Sequence, residues 1–339
     1  MLSNTEKVVY KLINSDFQML YEIYFLNSKL NNTLYCLSFN GYYGMIIDGS
    51  TKWMLKVRQL KSKVPQMSNQ QKIYYNHLRQ SIKFWDMSYE DYINNMTVAY
   101  KKSESYFENQ TSTIARILKV FDIYGVAYFN KVPIGNTIHY SMVLPSFDYK
   151  TFKLDKQYTI NVNEYAGMLI GNADINLNDS FVDCSNIEIT AKDRGGIKKL
   201  GIEKDTRLFF LFNLACLINF NLYGLKPLKK PFLPSILRIN YILYYYINTV
   251  LKDVNKDNQT DFFIDTQYID DLFRNCMAHY GIGNLLKQNE VDLNDPFGGL
   301  TQKVFKIDYV VLNKKIEDNL EALLNQINGH IEKKLKLKK

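Results

Sequence analysis

The stretch DDLFRNCMAHYG, residues 270–281, decides how the second half of the chain is read. Asp270-Asp271-Leu272-Phe273 leads in, and Gly281 stands where helices commonly end in a left-handed residue, so the segment reads as the last turns of a helix. Asp265 or Thr266 is expected to open that helix. On it Asn275 and His279 are four apart and share a face, while Arg274 and His279 are five apart, about 140° around the axis. Two long side chains can still converge across that gap on one phosphate. His279 lies near the helix C-terminus, where the macrodipole favours imidazolium by about 0.3–1 kcal/mol, so it is expected to titrate near neutral pH. The plainer alternative is a solvated Arg274 and a His279 that merely caps its helix.

Helices are predicted on both sides of the motif. Asp205 or Thr206 can cap an apolar helix ending near Gly224, and Pro231 and Pro234 start a second helix through Tyr241, Tyr245 and Val250. Ile316, Leu320, Leu323, Leu324, Ile327 and Ile331 form one stripe of a last helix after an Asn313 cap. The run from Leu208 to Leu225 is near the lower limit of length for a membrane span, but Asn213, Asn219 and Asn221 interrupt it, so a buried bundle helix and no membrane contact is expected. Between motif and last helix, Asp295-Pro296-Phe297-Gly298-Gly299-Leu300 is a turn-rich loop whose glycines can let amides approach a phosphate, without the Gly-Lys-Ser/Thr of a P-loop.

The run Arg274-Asn275-Cys276-Met277-Ala278-His279, an Arg, a polar residue and a His within six positions on a helix of a small bundle, resembles the signature of the HEPN superfamily of nucleases. The resemblance covers roughly 205–339. It implies an HEPN-like helical bundle and metal-independent endoribonuclease activity, with no cofactor and no metal. His279 would do general acid/base work, Arg274 would hold the phosphate, and Asn275 would orient the His or hold a phosphate oxygen. RNA supplies its own nucleophile, the 2′-OH, so a proton shuttle and a cation suffice. Two motifs generally meet across a dimer in this family, and one motif per chain implies a homodimer through the C-terminal bundle. Toxins and anti-phage abortive-infection effectors are the biological context the family suggests, with a phage or antitoxin protein as a possible partner. The alternatives are a non-catalytic RNA-binding or scaffolding HEPN module, or the HEPN partner of a nucleotidyltransferase in a toxin–antitoxin pair.

Further RNA contacts are sought in Lys226, Lys229 and Lys230, which can track a phosphate backbone but equally fit a solvated basic loop, and in Tyr280 beside the motif. A net charge of +8 favours polyanionic partners. His77, His139 and His330 have no partner at metal-ligand spacing.

The fold class expected is mainly α with a small β-rich segment: a helical, α+β N-terminal domain over 1–200 and the HEPN-like nuclease domain over 201–339. The first 130 residues look helical. One apolar face carries Val8, Val9, Leu12 and Ile13, and another carries Phe17, Leu20, Tyr21 and Tyr24 after a break at Ser15-Asp16. Ser88 and Asp91 resemble a capping box, and Asp48-Gly49 reads either as helix or as a hairpin turn. From 137 to 200 the runs 137–144, 158–163 and 187–190 alternate or are β-branched and predict strands, before a basic connector at 192–199 marks the domain boundary. This domain would sense, restrain or direct the nuclease. Four cysteines with no paired spacing, and a start without a signal-peptide layout, predict a reducing, cytoplasmic setting.

Overall fold

Helix α1 (Asn4–Lys29) begins behind Ser3, whose hydroxyl accepts from the Glu6 amide while the Glu6 carboxylate accepts from the Ser3 amide. It runs unbroken through Ser15-Asp16, where the sequence predicts a break. Asp16 is fully buried there and paired with Arg238, so a polar residue that usually marks a turn points into the interior. The computed structural model describes residues 1–30, 34–84, 87–117, 124–145, 147, 148, 150, 153–175, 182, 183, 185–192 and 205–337.

Helix α2 (Leu34–Lys56) passes straight through Asp48-Gly49. Gly49 makes no turn; a Cβ there would lie 3.2 Å from the Ala278 carbonyl oxygen, so the missing side chain permits close helix contact. Gly44 does the same for α3 (Asn69–Ser81): a Cβ would sit 2.4 Å from Leu78 Cβ and 2.7 Å from the Arg79 amide. Ser88 caps α4 (Tyr89–Gln110) as its sequence suggests, and α5 (Thr113–Ile117) follows.

The β structure is small and displaced from its expected place. Strands β1 (Val126–Phe129) and β2 (Val132–Asn136) form a hairpin, and Thr137 opens α6 (Thr137–Val143). Strands β3 (Phe147–Asp148) and β4 (Lys153–Leu154) pair with each other, α7 (Lys156–Gly171) follows, and β5 (Ile189–Lys192) joins β1 to give the antiparallel order β2-β1-β5. The runs 137–144 and 158–163 are therefore helices, not strands. Their β-branched residues are overridden by caps: the Asn136 side chain accepts from the His139 amide and Asp155 from Tyr158. Helix α7 then buries Val162, Tyr165, Ala166 and Leu169, a helical spacing. Residues 193–199 of the basic connector lie outside the described residues.

Helix α8 (Thr206–Asn219), capped by Asp205, continues into a wider π-helical turn at Phe220–Gly224. Residues 206–224 are long and apolar enough to cross a membrane, yet 78% of the stretch is buried in the protein. Its asparagines pair inside the core, Asn213 with Asn136, Asn219 with the Pro133 carbonyl, and Asn221 with Tyr42 and Asn240. After α9 (Lys226–Lys229), α10 (Leu233–Asn258) starts with Pro234 in its first turn. Helix α11 (Asp271–His279) opens at Asp270, four or five residues later than expected. Helix α12 (Leu300–Phe305) and α13 (Tyr309–Leu337) complete the chain. Asp308, not Asn313, caps α13 by accepting from Val310 and Val311; Asn313 is buried against Asn240. The α13 stripe from Ile316 to Ile331 is buried as predicted, against α8 and α10.

The chain is 71% helical with a small antiparallel sheet, so mainly α with a small β segment. Helices α1 and α2 pack on α10 and α11, and α8 packs on β2 and α4. Buried apolar residues from both sides of position 200 belong to one continuous core.

Candidate functional site

Helix α11 packs against α10 and α2 and buries Phe273, Cys276, Met277 and Ala278. At its start the Asp270 side chain accepts from the Phe273 amide at 2.6 Å, and the Tyr241 hydroxyl accepts from the Asp270 amide at 3.1 Å. At its end the left-handed residue is Tyr280 (φ 57°), whereas Gly281 has φ −84°. A tyrosine there costs about 1–2 kcal/mol of backbone strain. Its environment offsets this: the Arg238 guanidinium lies 3.9 Å over the ring and the hydroxyl donates to Asp16. Arg238 also donates to the Met277 carbonyl from Nε at 2.9 Å and Nη2 at 2.7 Å, satisfying an orphan carbonyl of the last turn. Tyr280 is thus fully buried and structural, which corrects its expected role as an RNA contact.

Arg274 points to one flank of α11. Its guanidinium rests 4.8 Å over Tyr245 and 5.7 Å over Tyr246, and Nη1 donates to the Tyr246 hydroxyl at 3.3 Å. Its Nε is buried without a partner. Together with Lys83, Ser88, Tyr89, Tyr246 and Thr249 it lines an open cavity of about 320 Å³. Asn275 beside it is half-buried.

His279 points to the other flank, towards α2 and α3. Its Nε2 lies 2.9 Å from Arg79 Nη2, while Arg79 Nη1 donates to Asp48 Oδ2 at 2.7 Å and Lys52 holds Asp48 from the solvent side. A guanidinium only donates, so Nε2 is the acceptor and the ring proton sits on Nδ1. Burial pushes the His279 pKa down, and the positive charges of Arg79 and Lys83 push it further, to about 4, with Asp48 opposing. This reverses the direction expected from the helix dipole, because desolvation and neighbouring cations outweigh a terminal half-charge. At neutral pH the imidazole is uncharged.

Arg274 and His279 engage different partners, Tyr245 and Tyr246 for the first and Arg79 for the second. Lys83 lines the Arg274 cavity and acts on the His279 proton. The basic loop is elsewhere. Lys226 and Lys230 are exposed, and Lys229 is paired with Glu317 at 2.6 Å. They flank the start of α10, about 18 Å along that helix from Tyr245 by its rise of 1.5 Å per residue. The Gly298-Gly299 loop is chemically filled as well, since Asp295 accepts from the Phe297 and Gly299 amides that a phosphate would need.

The residues that sequence reasoning misses are Asp48, Arg79 and Lys83. They stand some 200 positions from His279 and carry no local pattern. Of the other histidines, His77 donates to the Met142 carbonyl, His139 sits in α6 with its pKa lowered to about 4 by burial, and His330 packs on Phe262. Cys36, Cys216 and Cys276 are free thiols. Among the described residues no group of three or more His, Cys, Asp or Glu side chains converges.

The chain matches no protein family, no curated protein and no solved structure. The HEPN resemblance rests on the motif and its surroundings alone.

Proposed function

We propose that the chain is a metal-independent endoribonuclease of HEPN type, a cytoplasmic toxin or anti-phage effector, with Arg274 and Lys83 binding the scissile phosphate and His279 moving the proton. The observation that supports this is that Lys83 lines the same cavity as Arg274 while its charge is among those that lower the His279 pKa. In the reaction the neutral His279 takes the proton of the 2′-OH and the 2′-oxygen attacks the adjacent phosphorus. The P–O5′ bond breaks, and the leaving 5′-oxygen receives the proton from His279. Arg274 and Lys83 face the charge that develops on the non-bridging oxygens. The products are a 2′,3′-cyclic phosphate and a 5′-OH.

Labelled RNA tests this directly. Wild-type protein should cleave in EDTA and fail on an all-deoxy strand or one with 2′-O-methyl at the cut site, and Arg274→Ala and His279→Ala should each abolish cleavage. A 5′-phosphate on the downstream fragment, or full activity in both variants, would overturn it. The homodimer through residues 205–339 belongs to the same proposal and is read by light scattering; the His279 flank of α11 is already covered by α2 of the same chain, so a dimer must use another face. A second reading, a non-catalytic RNA-binding module, is favoured by the engagement of Nε2 with Arg79. It predicts RNA binding in gel shifts with no cleavage by any form of the protein.

A further inference from the structure

Three polar side chains from three helices meet where α2, α3 and α11 come together: Asp48, Arg79 and His279. Arg79 is held firmly. It is 9% exposed, its backbone amide sits at the Gly44 notch of α2, and one arm of its guanidinium is anchored by Asp48. The other arm occupies Nε2 of His279, and its Nε is buried with no partner. A neutral imidazole has one lone pair available for a proton, and here that lone pair is taken by a donor that never deprotonates.

We propose that Arg79 is a built-in plug: in the RNA-free protein it holds the basic nitrogen of His279, and a phosphate arriving beside Lys83 draws the guanidinium away and frees it. The consequence for cleavage rests on the nuclease reading above, whereas the plug itself rests on geometry. A phosphate offers charged oxygens in the planar spacing a guanidinium matches, a stronger partner than a neutral ring nitrogen. The unpartnered Nε gains a partner only once the guanidinium has turned towards the phosphate. Asp48 serves as the pivot, and Lys52, 2.7 Å from it, keeps that carboxylate paired while the guanidinium turns. The charged groups facing His279 are Asp48 and Lys52 of α2, Arg79 of α3 and Lys83 after it; from α10, Arg238 is engaged with the Met277 carbonyl.

The test uses the full chain labelled with 15N-histidine, with His279→Gln to assign its signals. In wild type, nitrogen-correlated NMR should show the Nδ1–H tautomer of His279 and a titration midpoint near 4. In Arg79→Met the midpoint should move up towards the ordinary 6.5, and RNA cleavage should be faster than in wild type. Arg79→Lys keeps a charged partner for Asp48 but lacks the second arm, so it should also speed cleavage while its midpoint rises less than in Arg79→Met, and it guards against loss of folding in that variant. A non-cleavable, fully 2′-O-methylated RNA added to wild type should release the same signal. An Nε2–H tautomer in wild type, or a midpoint indifferent to both substitutions, overturns the plug. So does a loss of cleavage on replacing Arg79 as complete as that of His279→Ala, since Arg79 would then be a working group. If the NMR outcomes hold while no form cleaves RNA, the plug stands and the nuclease reading falls.

Discussion

A half-buried imidazole hemmed in by cations, and a guanidinium locked over a tyrosine, differ from the same groups in water, and the difference is measurable. For His279 and His139 the ordinary value is 6.5 and the folded value about 4. Between those values the unfolded chain binds protons that the folded chain refuses. The stability associated with keeping both rings neutral is fully present above pH 6.5 and is lost as pH falls towards 4. Urea midpoints recorded at several pH values should fall through that window, and His139→Gln should flatten the fall. For the proposed nuclease the acid limb of kcat/KM, which reports the free protein's base, should lie near pH 4 rather than 6.5. Arg238 gives a second prediction at this scale. Replacing it by Met leaves Asp16 buried without its cation and frees the Met277 carbonyl, a loss of about 3–5 kcal/mol in the stability measured by denaturation.

Among the elements, α2 organises the site, because Gly44 and Gly49 let α3 and α11 approach closely. Gly44→Ala must push α3 outwards, since the Cβ would sit 2.7 Å from the Arg79 amide. The expected loss is about 1–3 kcal/mol, read from a shifted denaturation midpoint, together with an upward shift of the His279 titration as Arg79 is displaced. This element also marks the limit of what the sequence discloses. Helices α8, α10 and α13 are legible because their caps, prolines and apolar stripes are local signals that agree with the tertiary structure. Asp48-Gly49 is ambiguous because a glycine that admits a neighbouring helix looks, in one dimension, like a glycine that makes a turn. Thr137 to Val143 and Tyr158 to Asn163 mislead because β-branched side chains speak for strands, while the deciding caps, Asn136 and Asp155, lie just outside each run. Within the site, Arg274 and His279 are visible through their spacing. Arg79 is invisible, since its contact with His279 spans 200 positions.

For the whole molecule, the shared core bears on the division at 200. Residues 205–337 bury α10 and α11 against α1 and α2, and α8 against β2. Expressed alone, that segment should expose these faces and fail to give a cooperative thermal transition, whereas supplying residues 1–192 as a second polypeptide should restore one. A cooperative, monomeric 205–337 fragment would show that the bundle is self-sufficient. The cluster of Asp16, Arg238 and Tyr280 carries a consequence of another kind, about the order of manufacture. Asp16 is synthesised 222 positions before Arg238 and 264 before Tyr280. At ordinary rates of translation that interval is on the order of tens of seconds. Throughout it the carboxylate waits for a cation that has not been made, and the helix bearing His279 does not yet exist. For the proposed nuclease, the group meant to move the proton is therefore set in place only once the last third of the chain is being made.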